Sequence, residues 1–569
     1  MNTRVQELLG VLYDGPIVET TAQRIEARLQ HTTIPSTRSE AWSASDVLLI
    51  TYADSIQGEG ESPIRSLGRF LNDWLPGLMA QVHLLPFFPY TSDDGFAVAD
   101  YRQLGPGLGG WDDVKALSED HELMFDLVIN HASSAHPFFQ DFLNDSPPGH
   151  RYFLTAAEGV DVSGVTRPRA SPLLQTFDTA KGPQQVWCTF SRDQVDWDFS
   201  NPDVLLEFID VFVGYIECGS TWIRMDAIAY LWKEVGTDCV HRPQTHAVVK
   251  LFRAIADALS SDIKILTETN VPLAENLRYF GHGDEAHIIY NFSLPPLLVH
   301  ALVTGNGRHL SQWCASLPTP PPGCTFLNFT ASHDGIGIRP AEGILSDAQI
   351  GELTGCIERF GGRVSHRQRP DGSLSPYEAN IALFDALKGT VAGEDRWQVE
   401  RFVLSQGLMM AMAGVPALYY NSLLAAPNHL AGMAETGRNR TINRKKWTTD
   451  EVDARLADED GPARRVLTEL RTMLSARRDL PAFHPEADQQ CLPVDDRLFV
   501  LIRSSGAADS RVLCLFNLTD QSVQVDKSAL ALQAKQPIRE RYVNGEVVDQ
   551  GGALELSPYA MAWFEMTSA

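Results

Sequence analysis

Residues 221–228 read Thr221-Trp222-Ile223-Arg224-Met225-Asp226-Ala227-Ile228, a short apolar segment that carries two charges. Alternate residues of a β-strand point to the same face, so a strand here would place Arg224 and Asp226 together in one partly buried place. A buried charge without a partner is strongly unfavourable. The segment therefore predicts either a structural ion pair or a working site.

Two other apolar segments end in an acid in the same way. Residues 263–270 carry Glu268, and residues 325–335 carry Asp334. Strand-like segments alternate with helical segments along the chain, and we count eight of them: 47–52, 82–85, 123–131, 221–228, 263–270, 287–292, 325–335 and 416–420. This alternation predicts an α/β fold, a (β/α)8 TIM barrel, with its active site at the carboxyl ends of the strands.

The rest of the chain is predicted to surround this barrel. Residues 1–45 have polar helical periodicity and form an N-terminal helical extension, and residues 46–485 form the catalytic barrel. Two long irregular stretches, at about 132–195 and 335–395, are inserted subdomains on the catalytic face. Residues 486–569 alternate as short strands and predict a C-terminal antiparallel β domain.

Composition argues against several classes of partner and location. The net charge of −25 argues against nucleic acid or an anionic membrane as a partner. No apolar run approaches the roughly 20 residues that span a bilayer, and the first 15 residues lack the pattern of a signal peptide. The eight cysteines show no C-x-x-C spacing, which predicts reduced thiols and a cytoplasmic location.

Taken together, the acidic motifs resemble a known family. The set Asp126…Asn130-His131, Arg224-x-Asp226, Glu268 and His333-Asp334 resembles, in order, the four signature regions of the α-amylase superfamily of retaining α-glucoside enzymes. Within it the chain is similar to the sucrose phosphorylase group, through residues 49–54, 83–88, 94–96, 294–298, 333–337 and 441–444.

The resemblance implies roles for individual residues. Asp226 would be the nucleophile, held ionised by Arg224, and Glu268 the acid/base, while Asp334 with His333 would bind the sugar hydroxyls next to the anomeric carbon. Taken singly, His131 and the phenylalanines would be ordinary core residues. In register with the set, His131, Phe96 and Phe190 are implied to close the glucose site together with Asp94, Gln194 and Arg440.

The phosphate and acceptor site is where the chain departs from sucrose phosphorylases. Arg169 matches the position that binds phosphate or acceptor in that group. Asn270 stands where the group has histidine, the pair Tyr377-Glu378 where it has Tyr-Gln, and Arg339 where it has an apolar residue. These residues resemble the glucosylglycerate phosphorylase branch, in which an added arginine would pair with the carboxylate of glycerate. Glu378 would repel that carboxylate unless it is paired with an arginine or hydrogen-bonds a hydroxyl.

The resemblance thus implies a retaining phosphorylase that converts 2-O-α-D-glucosylglycerate and phosphate to α-D-glucose 1-phosphate and D-glycerate. It implies no metal and no cofactor, with phosphate as co-substrate, and a monomer or homodimer. Three alternatives stay open: the same chemistry on sucrose, sucrose 6-phosphate or glucosylglycerol, an α-glucoside hydrolase or transglucosidase, and a non-catalytic superfamily subunit.

Overall fold

The computed structural model describes residues 2–32, 34, 36, 38–169, 171–368, 373–506, 509–530, 532 and 538–566. Eight parallel strands close into a barrel, in which each strand pairs with its neighbours in sequence and the last pairs with the first. They are β1 (Leu48–Thr51), β2 (Gln81–Leu84), β3 (Glu122–Leu127), β4 (Ser220–Met225), β5 (Lys264–Thr267), β6 (Ile288–Tyr290), β7 (Thr325–Phe329) and β8 (Val415–Tyr419). The predicted barrel is confirmed.

Helices connect these strands and cover the barrel. The long helices are α1 (Asn2–Leu12), α2 (Pro16–Leu29), α3 (Pro63–Trp74), α4 (Trp111–Asp120), α5 (Pro202–Glu217), α6 (Pro243–Leu259), α7 (Leu294–Thr304), α8 (Gln398–Ala411) and α9 (Pro462–Arg478). The helix Asp347–Arg359 is of similar length, and shorter ones are Pro137–Leu143, Leu273–Asn276, Arg308–Ser316, Leu383–Ala386, Tyr420–Leu423, Leu430–Thr436 and Thr449–Ala457. None of the helices in the described ranges is long and apolar enough to cross a membrane.

Local sequence sets the helix ends. The Ser62 hydroxyl accepts a hydrogen bond from the Arg65 backbone N–H at 3.4 Å, which caps α3. The Asn201 side chain caps α5 by accepting from the Asp203 N–H at 3.0 Å. Gly219, with φ of 99°, then turns the chain out of α5 into β4. The strand that precedes the Asp226 turn is thus positioned by a helix with defined ends.

The N-terminal extension covers the barrel away from the catalytic face. On α2, the Arg28 Nε lies 2.7 Å from an Asp210 carboxylate oxygen on α5. Trp42 is 1% exposed, and its ring meets the Trp222 ring edge-on with centroids 5.9 Å apart. The Lys264 ammonium, on the first residue of β5, lies 5.4 Å from the Trp42 ring. Trp42 therefore lies at the amino ends of β4 and β5, opposite the site.

Two stretches interrupt the alternation on the catalytic face. The first contains an antiparallel pair, His131–Ser133 with Gln194–Asp196, and a sheet of Thr155–Ala156, Leu174–Thr179 and Gly182–Trp187. The second contains a sheet of Ile336–Gly337, Arg363–Gln368 and Leu374–Asn380 and a hairpin of Gly389–Thr390 with Gly393–Glu394. A parallel pair, Ile56–Gln57 with Trp447–Thr448, lies between barrel segments.

Antiparallel sheets begin at residue 488. Their strands are β9 (Asp488–Cys491), β10 (Leu498–Ser505), β11 (Ser510–Asn517), β12 (Val523–Asp526), β13 (Ile538–Asn544), β14 (Val547–Asp549), β15 (Ala553–Leu556) and β16 (Met561–Met566). They pair in the orders β9-β10-β11-β16-β13 and β12-β15-β14. Four strands were predicted from the sequence in this region, at 498–503, 512–518, 522–526 and 562–566, and they correspond to β10, β11, β12 and β16. The other four were missed because they are short or, like β13, largely polar, which hides the alternation.

The barrel strands are shorter than predicted, and this moves the acids. β4 ends at Met225, so Asp226 lies just beyond the strand, where Ala227 turns the chain with a φ of 52°. Glu268 likewise follows β5, and Asp334 lies beyond the end of β7. The predicted strand 123–131 divides, because His131 belongs to the antiparallel pair described above. The acids therefore sit on the loops at the catalytic rim.

Candidate active site

The carboxyl ends of the barrel strands open into a cavity. Most of the predicted site residues line it: Phe96, His131, Arg169, Phe190, Gln194, Arg224, Asp226, Glu268, Asn270, His333, Asp334, Tyr377 and Arg440. Three predicted site residues do not line the cavity: Asp94, Arg339 and Glu378. Asp94 pairs with Arg444 and Glu378 pairs with Arg440, while the nearest carboxylate to Arg339 is that of Glu275, at 3.9 Å.

Arg224 on β4 joins two carboxylates inside the barrel. Its Nη1 lies 2.7 Å from Asp226 Oδ1 and also contacts Asp126, and its Nε donates to the Tyr290 hydroxyl at 3.1 Å. The second oxygen of Asp126 lies 2.6 Å from His83 Nε2. Buried ion pairs need such additional hydrogen bonds to offset the loss of hydration. Arg224 and Asp226 thus share one face, and they belong to a larger charge network.

Backbone hydrogen bonds fix the two main carboxylates at adjacent strand ends. The Asp226 N–H donates to the Leu127 carbonyl at 3.1 Å, and the Glu268 N–H donates to the Met225 carbonyl at 3.0 Å. The Glu268 Oε2 also accepts from the Ala227 N–H at 3.0 Å. Each acid is therefore held by the strand that precedes its own.

Burial acts on both main carboxylates. It raises the pKa of Asp226 to about 8 and also raises the pKa of Glu268, and the Glu268 charge raises the pKa of Asp226 further. Opposing this, the Arg224 guanidinium contacts Asp226 directly, while Glu268 accepts a hydrogen bond from the uncharged Ala227 N–H. Because an ion pair favours the charged form more than a neutral donor does, Asp226 is the better placed of the two to carry the charge and Glu268 to carry a proton, which suits a nucleophile and a general acid.

Asp334 belongs to a second ionic network. Arg440 Nη1 lies 2.5 Å from Asp334 Oδ1, while its Nε and Nη2 donate to the two Glu378 oxygens at 3.0 and 2.6 Å. Burial alone would raise the pKa of Asp334, but Arg440, His333 and Arg444 together lower it below its ordinary value. Asp334 is therefore ionised at neutral pH, and the Glu378 charge is neutralised by Arg440.

One wall of the cavity combines flat rings with polar edges. The His333 ring stacks on Phe96 with centroids 4.9 Å apart and planes 7° apart, and Phe190 lies 5.0 Å from the His131 ring. Gln194 places its Nε2 3.3 Å from the Phe96 carbonyl. Burial lowers the pKa of both histidines, so their neutral imidazoles can each donate and accept a hydrogen bond. Such a surface suits a sugar ring with its hydroxyls.

The predicted Asp94 lies one position from the acid that lines the cavity. Asp93 lines it, whereas an Asp94 oxygen lies 2.5 Å from Arg444 Nη1. Both aspartates have left-handed φ angles, 54° and 50°, which are uncommon outside glycine and gather at functional sites. Sequence reasoning missed Asp93 and Arg444. The available signal for Arg444 was its place at the end of motif 441–444, four positions after Arg440.

Arg444 also anchors the loop that carries Asp334. Its Nε donates to the His333 carbonyl at 2.7 Å, and the Asn443 side chain donates to the Asp334 carbonyl at 2.8 Å. The backbone that holds the third acid is therefore fixed by a segment more than 100 residues later in the chain.

A cation stands free on another part of the wall. Arg169 lines the cavity and forms no hydrogen bond or ion pair with any residue in the described ranges. Asn270 and Tyr377 line the cavity as well, and so does Tyr230, which the sequence did not indicate and which packs edge-on against Phe190 at 5.6 Å. An unpaired guanidinium at a cavity is available to an anionic ligand.

A buried lysine lies behind the first inserted stretch. Lys233 Nζ lies 2.8 Å from an Asp196 oxygen and donates to the Asn130 side-chain oxygen at 2.7 Å. Asn130 directly precedes the antiparallel pair that contains His131 and Gln194, and Asp196 is the last residue of its second strand. Lys233 therefore holds both of those cavity residues in place.

Two parts of the chain match known protein families. Residues 73–310 match the α-amylase catalytic domain, and residues 503–564 match the C-terminal immunoglobulin-like domain of D-apionate lactonase. The chain is 44% identical over 524 residues to a glucosylglycerate phosphorylase from Spirochaeta thermophila, with 91% of this chain and 89% of that protein covered. It is 37% identical to the Escherichia coli glucosylglycerate phosphorylase, with 99% of this chain and all of that protein covered.

A solved structure supports the fold independently. The crystal structure of sucrose 6F-phosphate phosphorylase from Thermoanaerobacter thermosaccharolyticum superposes with a TM-score of 0.73 at 24% identity, covering 85% of this chain and 96% of that chain. At this identity the likeness establishes the architecture. The barrel with its C-terminal β-sheets is therefore a known arrangement.

Proposed function

The chain belongs to the glucosylglycerate phosphorylase family, with an α-amylase-type catalytic domain, and we propose that it converts 2-O-α-D-glucosylglycerate and phosphate to α-D-glucose 1-phosphate and D-glycerate. The observation that carries the proposal is one cavity that holds a nucleophile–acid pair, Asp226 and Glu268, together with Arg169, a cation without a hydrogen-bond or ion-pair partner among the described residues. The pair suits glucosyl transfer, and the cation suits phosphate.

In the first step the glucosyl group moves to the enzyme. The Asp226 carboxylate attacks the anomeric carbon, the bond from that carbon to the glycerate oxygen breaks, and Glu268 gives its proton to the departing oxygen. Asp334, ionised and held by Arg440, binds sugar hydroxyls beside the reacting carbon and stabilises the positive charge that develops there. Arg224 keeps Asp226 in its ionised form.

In the second step phosphate replaces glycerate. A hydrogen phosphate oxygen attacks the anomeric carbon, the bond to Asp226 breaks, and Glu268 recovers its proton from the phosphate hydroxyl. Two inversions give net retention. Phosphate is already an anionic nucleophile and needs a cationic cradle, and this is the role we assign to Arg169.

The acceptor assignment gains support from one ion pair. Glu378 would repel the glycerate carboxylate if its charge were free, but both of its oxygens accept hydrogen bonds from Arg440. Arg339, Asn270 and Tyr377 are the proposed acceptor-binding residues, with Arg339 as the partner of the carboxylate.

We propose that the enzyme needs no metal or cofactor and that it is a monomer or a homodimer. The proposal places the enzyme in the cytoplasm, which the eight cysteines support, because all of them are free thiols.

The test is phosphate release in the synthetic direction. The protein is given α-glucose 1-phosphate with D-glycerate, L-glycerate, glycerol, fructose or fructose 6-phosphate, each against a blank without acceptor. We expect release that depends on D-glycerate and that is abolished in Asp226→Asn. Release with another acceptor would support the phosphorylase reaction but reject D-glycerate as the acceptor. Phosphate-independent cleavage of an aryl α-glucoside, with no release in any arm, would indicate a hydrolase.

A further inference from the structure

Arg339 does not line the cavity, although the turn that carries it is tied to two residues that do. The Ile338 N–H donates to the Tyr377 carbonyl at 2.9 Å. Gly337 lies so close to Asn270 that a Cβ on Gly337 would stand 3.0 Å from the Asn270 Oδ1. The turn that carries Arg339 is therefore built against the two residues that we assign to the acceptor.

The Arg339 guanidinium is poorly satisfied where it lies. Its side chain is 16% exposed, and its nearest carboxylate is that of Glu275, with Nη2 to Oε2 at 3.9 Å. Within the described part of the chain it makes no hydrogen bond. A largely buried cation with one long ionic contact is available to a better partner.

Glu275 is held in place independently of Arg339. Its Oε2 lies 3.0 Å from His241 Nε2, and the other ring nitrogen of His241 lies 2.8 Å from the Tyr279 hydroxyl. Tyr279 is fully buried and His241 nearly so. With the tyrosine hydroxyl donating to Nδ1, a neutral His241 donates from Nε2 to Glu275. The carboxylate therefore stays beside Arg339 whether or not it receives a short contact from it.

We propose that Glu275 is a specificity-determining positioning residue, a resident counter-anion that holds Arg339 beside the acceptor site and whose contact with Arg339 is replaced by the acceptor carboxylate. This inference rests on the proposed function. Because Glu275 repels an incoming carboxylate and competes with it for Arg339, it weakens the binding of anionic acceptors and leaves that of neutral acceptors unchanged.

The test measures KM and kcat for D-glycerate and for glycerol in synthesis from α-glucose 1-phosphate. In Glu275→Gln we expect the KM for D-glycerate to fall about five- to tenfold, the scale of one charge contact at about 4 Å that water screens. The KM for glycerol should stay within about twofold. Arg339→Met should raise the KM for D-glycerate, and Glu275→Gln added to it should have no further effect. Glu275→Asp should restore the wild-type preference.

Glu342→Gln is the matched control. Glu342 directly follows the Arg339 turn but pairs with Arg367, whose Nη2 lies 2.9 Å from its Oε2. This variant should not alter the ratio of the two KM values. A rise in the KM for D-glycerate in Glu275→Gln would overturn the proposal. So would an equal change for glycerol, or an effect that persists without Arg339. If wild-type protein releases no phosphate with either acceptor, the proposed function fails instead.

Discussion

Glu268→Gln isolates proton donation from the rest of the site. The substitution keeps the shape of the side chain and one oxygen. This oxygen can still accept the hydrogen bond that the Ala227 N–H donates to Glu268 Oε2 at 3.0 Å in the wild-type protein. It removes the carboxylic acid group, whose pKa burial raises. The fold and the sugar subsite should therefore stay intact while the acid is lost.

The size of the effect depends on the leaving group. General acid catalysis is worth about 10²- to 10⁴-fold, or about 3–5 kcal/mol of barrier. The alkoxide of glycerate needs this proton, so phosphorolysis of glucosylglycerate should fall by that factor. Fluoride leaves without a proton, so α-glucosyl fluoride should lose less than about tenfold, because phosphate then attacks as an anion.

The assay compares the two donors in one variant. Initial rates of α-glucose 1-phosphate formation are measured with phosphate and either glucosylglycerate or α-glucosyl fluoride, and the ratio of rates is compared with that of the wild type. An equal loss with both donors would refute the assignment, because it would mean that Glu268 supports nucleophile formation or sugar binding rather than proton transfer.

Three further predictions concern phosphate, pH and stability. Arg169→Met should raise the KM for phosphate at least about tenfold and increase the share of glucosyl-enzyme lost to water, measured as glucose against α-glucose 1-phosphate. Glu268 works as an acid while it is protonated, and burial raises its pKa, so the rate with glucosylglycerate should persist toward neutral pH and fall as the pH rises through that pKa. The rate with α-glucosyl fluoride should not show this fall. An identical fall with both donors would contradict the acid role of Glu268. Trp42→Ala should lower the free energy of unfolding by about 3–5 kcal/mol in urea titrations, since a buried indole leaves a cavity; a loss below about 1 kcal/mol would show that the N-terminal extension is not part of the core.

The barrel and its acids were predictable because both rest on local signals. Apolar strands with an acid near the end repeat along the chain, and a parallel barrel brings those ends to one rim. The pairing of Arg224 with Asp226 follows from the two-residue period of a strand.

Other features depend on contacts between distant segments, which no local pattern encodes. Whether Asp93 or Asp94 faces the cavity depends on two left-handed residues and on Arg444, 350 positions away in the chain. Glu378 looked unfavourable in sequence because its partner, Arg440, lies 62 positions later. Arg339 was expected in the site, but it does not line the cavity and lies beside Glu275, which belongs to a separate loop.

The most direct test of the central claim is the identity and anomeric form of the product. The protein is incubated with 2-O-α-D-glucosylglycerate and phosphate, and the first product is followed by proton NMR before it can equilibrate. We predict α-D-glucose 1-phosphate in equal amounts with D-glycerate. The appearance of β-D-glucose 1-phosphate would contradict the double displacement at Asp226, and the appearance of free glucose at a rate independent of phosphate would contradict phosphorolysis.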